Sequence, residues 1–236
     1  MKLQDLEIFV VGTPKGVWGG RYFTIVKLTT DDGVVGCGEV YAASVGPVAM
    51  EAVIRDVFER HMLGQNPEDI ELMFRRAYSS GFTQRPDLTV MGAFSGLEIA
   101  CWDILGKAHE QPVYQLLGGQ FHPRLRTYTY LYPCNSLHTP NEDIGDVYHD
   151  GDAAAERALE YVEMGFTAVK QDPAGPYSFQ GGRELSMHEL SRCEYNVKRI
   201  REAVGGQAGI FFGTHRQMAT TSAICFAPPI KTHHPL

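Results

Sequence analysis

The sequence has no run of ~18 apolar residues, so no membrane span is expected. Its first residues, Met1-Lys2-Leu3-Gln4-Asp5, mix charge with apolar side chains and lack the unbroken apolar core of a signal peptide. A cytoplasmic location is the expectation. Cysteine is scarce: five residues, Cys37, Cys101, Cys134, Cys193 and Cys225, with no Cys-x-x-Cys pair. That spacing excludes a zinc ribbon and a paired-thiol redox motif. It reads instead as reduced, mostly buried thiols. Basic residues are also few, 21 lysines and arginines against 28 acidic residues, for a net charge of −7. Phosphate contact needs a basic face, so nucleic acid is excluded as a partner. Gly36-x-Gly38 lacks the helix-opening third glycine of a dinucleotide fingerprint. No internal repeat and no low-complexity stretch stands out.

What remains is an ordinary globular composition, 44% hydrophobic and 21% charged over 236 residues. The amino-terminal part reads as strands at residues 6–11, 22–29 and 34–40. Asp31-Asp32-Gly33 marks a hairpin between the last two. Gly12 to Arg21 reads as a long mobile loop of the kind that covers a site. Helices are predicted over 47–61, 70–78 and 87–109. The third carries Val90, Phe94, Leu97, Cys101, Ile104 and Ala108 on one face, and Pro112 follows its end. Beyond Gly118-Gly119 the order changes. Strands at 126–132, 166–170 and 208–212 alternate with helices at 152–164 and 186–204, and a further helix begins at 218–227. Ser186 and Glu189 form a capping box, and Gly205 stops the helix. This alternation predicts parallel βα units. The fold class is therefore an α+β domain over 1–124, followed by an α/β region over 125–236.

The segment Ala93-Phe94-Ser95-Gly96-Leu97-Glu98-Ile99-Ala100-Cys101-Trp102-Asp103-Ile104-Leu105-Gly106-Lys107, continued by Pro112-Val113-Tyr114-Gln115-Leu116-Leu117-Gly118, resembles the amino-terminal signature of the mandelate racemase/muconate lactonizing enzyme family, in the enolase superfamily. Asp32-Gly33-x-x-Gly36-x-Gly38-Glu39 is similar to that family's second hairpin. Lys170-Gln171-Asp172-Pro173-Ala174 and Phe212-Gly213-Thr214-His215 are similar to its galactonate dehydratase-like branch. The resemblance implies a capping domain and a TIM-type barrel. It also implies one Mg2+ and a small carboxylate or sugar-acid substrate. The implied reaction removes the proton next to a carboxylate and then loses water; racemisation, epimerisation and cycloisomerisation are the alternatives. Such chemistry gathers negative charge that a cation and a lysine stabilise in a dry site at the carboxyl ends of barrel strands. A homo-oligomer is implied for the complete parent.

Within that resemblance the candidate catalytic residues are Lys170, Asp172 and His215. Lys170 ends a strand and suits a carboxylate or enediolate contact. Asp172, two residues on, shares its side of the strand and stands where family members often carry a basic lysine. A solvated Lys–Asp pair is the competing reading. His215 follows the next strand and suits the acid that helps a hydroxyl depart; an exposed loop histidine is the competing reading. Relatives place an aspartate, the first metal ligand, at the position of Gly213, which has no side chain to ligate with. Mg2+ is thus implied by the family but not supported by ligands within this chain. Trp18, Arg21 and Tyr22 are candidate substrate contacts on the covering loop, and 42–46 is a second covering bend. His233-His234 reads as an accidental tail pair.

A barrel of this kind needs ~250 residues by itself, whereas the residues after Arg124 suffice for about three βα units. Pro228-Pro229 is expected to break the last helix. The sequence therefore reads as a truncated or frame-disrupted form, and a non-catalytic remnant is the alternative to an enzyme.

Overall fold

The computed structural model describes residues 1–12, 22–41, 45–79, 87–132, 146–175, 184–215, 218–233 and 235. Two compact units divide between Pro123 and Arg124.

The first unit opens with an antiparallel meander, β1 (Leu3–Gly12), β2 (Tyr22–Thr30) and β3 (Val35–Val40), in that spatial order. Gly33 adopts φ +85° in the β2–β3 hairpin, where a side chain would be strained. Alternation along β2 buries Thr24, Val26, Leu28 and Thr30 on one face. Helices α1 (Pro47–His61), α2 (Ile70–Tyr78) and α3 (Leu88–Ala108) follow, and their buried residues join those of β1–β3 in a single core. The α3 face is broader than sequence spacing predicts. It includes Ala93, Gly96, Ala100 and Leu105, while Ala108 is exposed. Glycine is the reason: a Cβ on Gly38 would stand 2.0 Å from the Gly96 carbonyl oxygen, and one on Gly36 would stand 2.1 Å from that of Ala100. The helix backbone therefore lies directly on β3. Asp103 accepts from the Cys37 amide at 2.8 Å, and Lys107 donates to the Val35 carbonyl at 2.8 Å. These residues of the signature segment bind the helix to the edge strand. By length and composition α3 could cross a membrane, but it carries Glu98, Asp103 and Lys107 and packs in this core. A short helix, α4 (Val113–Leu116), follows Pro112.

The second unit contains three parallel strands, β4 (Thr129–Tyr130), β5 (Ala168–Gln171) and β6 (Gly209–Phe212), with helices α5 (Gly151–Glu163), α6 (Met187–Val204) and α7 (Thr220–Lys231). Val169 and Ile210 pack with Ala154, Ala158, Ile200 and Val204 from α5 and α6. The capping box on α6 is present as predicted, and Gly165 closes α5 at φ +98°.

Three expectations are corrected. The strand expected over 126–132 pairs only at Thr129↔Val169 and Tyr130↔Lys170. Upstream, the Arg126 side chain makes the link instead, with Nε 2.7 Å from Thr167 Oγ1. Pro228 and Pro229 lie inside α7 rather than ending it. The carbonyls that lose their donors there belong to Ile224 and Cys225, both exposed, while Phe226 and Ile230 stay packed against Cys193 and Val197. Finally, the described cysteines divide evenly. Cys101 and Cys193 are buried, whereas Cys37, on edge strand β3, and Cys225 are exposed.

Candidate functional site

The carboxyl ends of β4, β5 and β6 bring together the chemistry of the second unit. In β5 the residues alternate. Val169 and Gln171 point toward the helices, and Gln171 Nε2 donates to the Val147 carbonyl at 2.5 Å. Lys170 and Asp172 fall on the opposite side. In register, Tyr130 of β4 lies beside Lys170, and Lys170 lies beside Phe211 of β6.

Asp172 and His215 meet. Asp172 Oδ2 lies 2.7 Å from His215 Nε2; the carboxylate side chain is 7% exposed and the imidazole 58%. His215 has φ +46°, an uncommon conformation for a non-glycine residue that turns its ring back toward β5. The other carboxylate oxygen, Asp172 Oδ1, is buried and has no hydrogen-bond partner. A buried, unpaired carboxylate oxygen is costly and needs a proton, a donor or a cation.

Gly213 faces this carboxylate. A Cβ built there would lie 1.9 Å from Asp172 Oδ1, 3.0 Å from Asp172 Cγ and 2.9 Å from Lys170 Cε. The absent side chain is thus the space in which Asp172 sits. Around it, the Tyr130 and Tyr148 hydroxyls lie 3.2 Å apart. Burial pushes both phenols above their ordinary range, and the charge of Asp172 adds to the shift. Sequence reading missed these two tyrosines. Tyr130 carried a signal, because strand register places it beside Lys170; Tyr148 lies before α5, outside any motif.

Of the proposed covering residues, Trp18, Arg21 and residues 42–44 lie outside the described residues. Tyr22 opens β2, and its hydroxyl donates to the Val45 carbonyl at 3.1 Å. His234 is likewise outside, while the His233 carbonyl accepts from Arg201 Nε at 3.0 Å. A separate cavity of about 690 Å³ in the first unit is lined by Arg60, His61, Arg75, Arg76 and Ser79. Among the described residues no cluster of three or more His, Cys, Asp or Glu side chains could hold a metal ion. One carboxylate beside Lys170 and His215 does not make up the oxygen donor set that a hard cation needs.

A meander-and-helix domain followed by parallel βα units defines a capping domain joined to part of an α/β barrel. The barrel is incomplete in this chain, with three of its strands among the described residues. The mandelate racemase/muconate lactonizing enzyme N-terminal domain matches residues 13–118. The chain is 31% identical to D-xylonate dehydratase of Haloferax volcanii, over 98% of its own length and 53% of that protein. It is 28% identical to D-gluconate/D-galactonate dehydratase of Picrophilus torridus, over 99% of its length and 56% of that protein. The crystal structure of a mandelate racemase/muconate lactonizing enzyme from Sulfitobacter sp. superposes with a TM-score of 0.93 at 58% identity, covering the whole of this chain and 58% of the other. The chain belongs to the mandelate racemase/muconate lactonizing enzyme family of the enolase superfamily, in its galactonate dehydratase-like branch. It spans a little over half the length of the relatives it matches.

Proposed function

We propose that this chain carries the cap and the first strand ends of a Mg2+-dependent sugar-acid dehydratase. The observation that supports this most directly is the His215–Asp172 pair on adjacent strand ends, 2.7 Å apart and beside Lys170. The dehydratase relatives point the same way.

In this reading the substrate carboxylate lies against the Lys170 ammonium. Transfer of the proton next to that carboxylate to a general base supplied by the rest of the complete parent spreads negative charge onto the substrate oxygens, and Lys170 favours that charge. His215, as the imidazolium, gives a proton to the departing hydroxyl, which leaves as water. The carboxylate of Asp172, 2.7 Å from its Nε2, holds the ring's orientation. The enol that remains rearranges to a 2-keto-3-deoxy acid. In the complete parent a bound Mg2+ would stabilise the developing charge; the described residues of this chain do not by themselves supply its ligand set. Trp18, Arg21 and Tyr22 are proposed to cover the substrate.

The test is to incubate the 236-residue chain with a panel of aldonic acids and Mg2+ and to measure keto-acid formation as the semicarbazone. In the complete parent, turnover is expected to fall by about 10²–10⁴ in His215→Asn. Proton exchange in D2O with no keto acid would replace dehydration by racemisation or epimerisation. A second reading is favoured by the absence of a three-ligand cluster among the described residues. In it, the 236-residue polypeptide is non-catalytic and only associates with other chains. Turnover by the purified chain removes that reading.

A further inference from the structure

We infer that the open cavity at the carboxyl ends of α1 and α2 binds the phosphate group of a small phosphorylated metabolite. The inference goes beyond the dehydratase reading and does not rest on it. It concerns the first unit alone. At about 690 Å³ the cavity falls in the size range of small-molecule sites. Arg60 and His61 line it from the last turn of α1, and Arg75, Arg76 and Ser79 from the end of α2. Four of these five lining residues are basic, and among the described lining residues none is acidic. In a chain of net charge −7 that clustering runs against the general composition.

The positive charge is only partly matched within the fold. Arg60 Nε lies 3.0 Å from both oxygens of Asp56, and Arg75 Nε donates to Glu71 at 2.8 Å. Both are exposed pairs one helical turn apart, which hold weakly. Each engages Nε and Nη2, so among the described contacts Nη1 of both guanidinium groups is left over. Arg76 differs. Its Nη1 donates to the neutral Gln65 side chain at 2.9 Å, and among the described residues no carboxylate pairs with it. His61 adds a wall that is 9% exposed, with Nε2 lacking a hydrogen-bond partner. Burial first, and then the charges of Arg60 and Arg76, disfavour a proton on that ring. The two helix ends carry about half a negative charge each, which opposes an anion; three guanidinium groups outweigh them. A tetrahedral dianion accepts from several arginine forks at once, whereas a singly charged carboxylate occupies one. The lining therefore favours phosphate.

The probe is inorganic phosphate, followed by its phosphorus nuclear resonance as the 236-residue chain is titrated at neutral pH and low ionic strength. Expected is saturable uptake of one phosphate per chain in the millimolar range or tighter. Arg76→Gln, which removes the charge from an exposed side chain, should weaken it by at least about tenfold. Arg55→Gln, which alters another exposed arginine of α1 outside the lining, should leave it within about twofold. Gluconate, with a carboxylate and no phosphate, should compete at least about tenfold less well than phosphate itself. Absence of saturable uptake overturns the inference. Equal loss in Arg55→Gln and Arg76→Gln overturns it too, because the binding is then diffuse surface charge. Gluconate competing as well as phosphate overturns the choice of ligand. Should Arg76→Gln not fold, judged by far-ultraviolet circular dichroism, Arg60→Gln takes its place: a tenfold loss supports the inference and unchanged uptake overturns it. No turnover is read, so a failure of the dehydratase reading shows as missing keto acid with phosphate uptake intact.

Discussion

His61 shows how a single side chain sets a pH response. It ends α1, is buried, and leaves Nε2 without a hydrogen-bond partner. Burial above all, then the charges of Arg60 and Arg76 against that of Asp56, holds its proton affinity below the ordinary value of 6.5. The unfolded chain therefore takes up the proton first. The contribution of the neutral, buried ring is complete above pH 6.5 and is lost as pH falls from there toward the lower folded value. Urea midpoints of the chain should decline from pH 7.5 to pH 5, and His61→Gln should flatten that segment of the curve. A slope unchanged by the substitution would contradict the assignment. At this scale the sequence was legible where one residue type carries one chemistry: Lys170, Asp172 and His215 meet where their strand ends converge. Tyr148 was not legible, because its nearness to Tyr130 depends on how the chain between β4 and α5 returns.

Elements were legible wherever periodicity and caps agree. Helices α1 and α2 begin and end where spacing places them, and α6 starts at its Ser186–Glu189 box. The misjudged elements are those where packing overrides local preference. β4 is short because Arg126, rather than backbone pairing, joins the preceding stretch to Thr167. α7 continues through two prolines because Phe226 and Ile230 are buried on its inner side. That conflict gives a prediction. Pro228 is exposed, so Pro228→Ala restores an amide donor toward Ile224 and removes a ring clash without opening the core. Interior proline disfavours a helix by about 3 kcal/mol, and the freer unfolded chain gives back about 0.4–1 kcal/mol. A net stabilisation of about 2 kcal/mol is expected, measured as an increase in the urea-derived free energy of unfolding. An unchanged or lower value would mean that the helix accommodates the ring without strain.

For the whole molecule, the first unit has a closed core while the second presents a parallel sheet of three strands. Each outer strand, β4 and β6, has one neighbour among the described residues. Leu125, Tyr128 and Ile224 are exposed in the same unit. Unpaired strand edges with apolar neighbours are templates for further pairing. The 236-residue polypeptide should therefore self-associate. In sedimentation velocity its average mass should increase with concentration across the micromolar range; a monodisperse monomer throughout would refute this. The alternation of strands and helices after Arg124 was legible in the sequence as parallel βα units. How an open sheet behaves in solution is a property of exposed edges, which no single motif encodes.

The mutual exclusion of side chains at 172 and 213 also constrains descent. A Cβ at 213 would fall 1.9 Å from Asp172 Oδ1, so a side chain gained on β6 requires the Asp172 carboxylate to turn aside or be lost, and the two positions change as a pair.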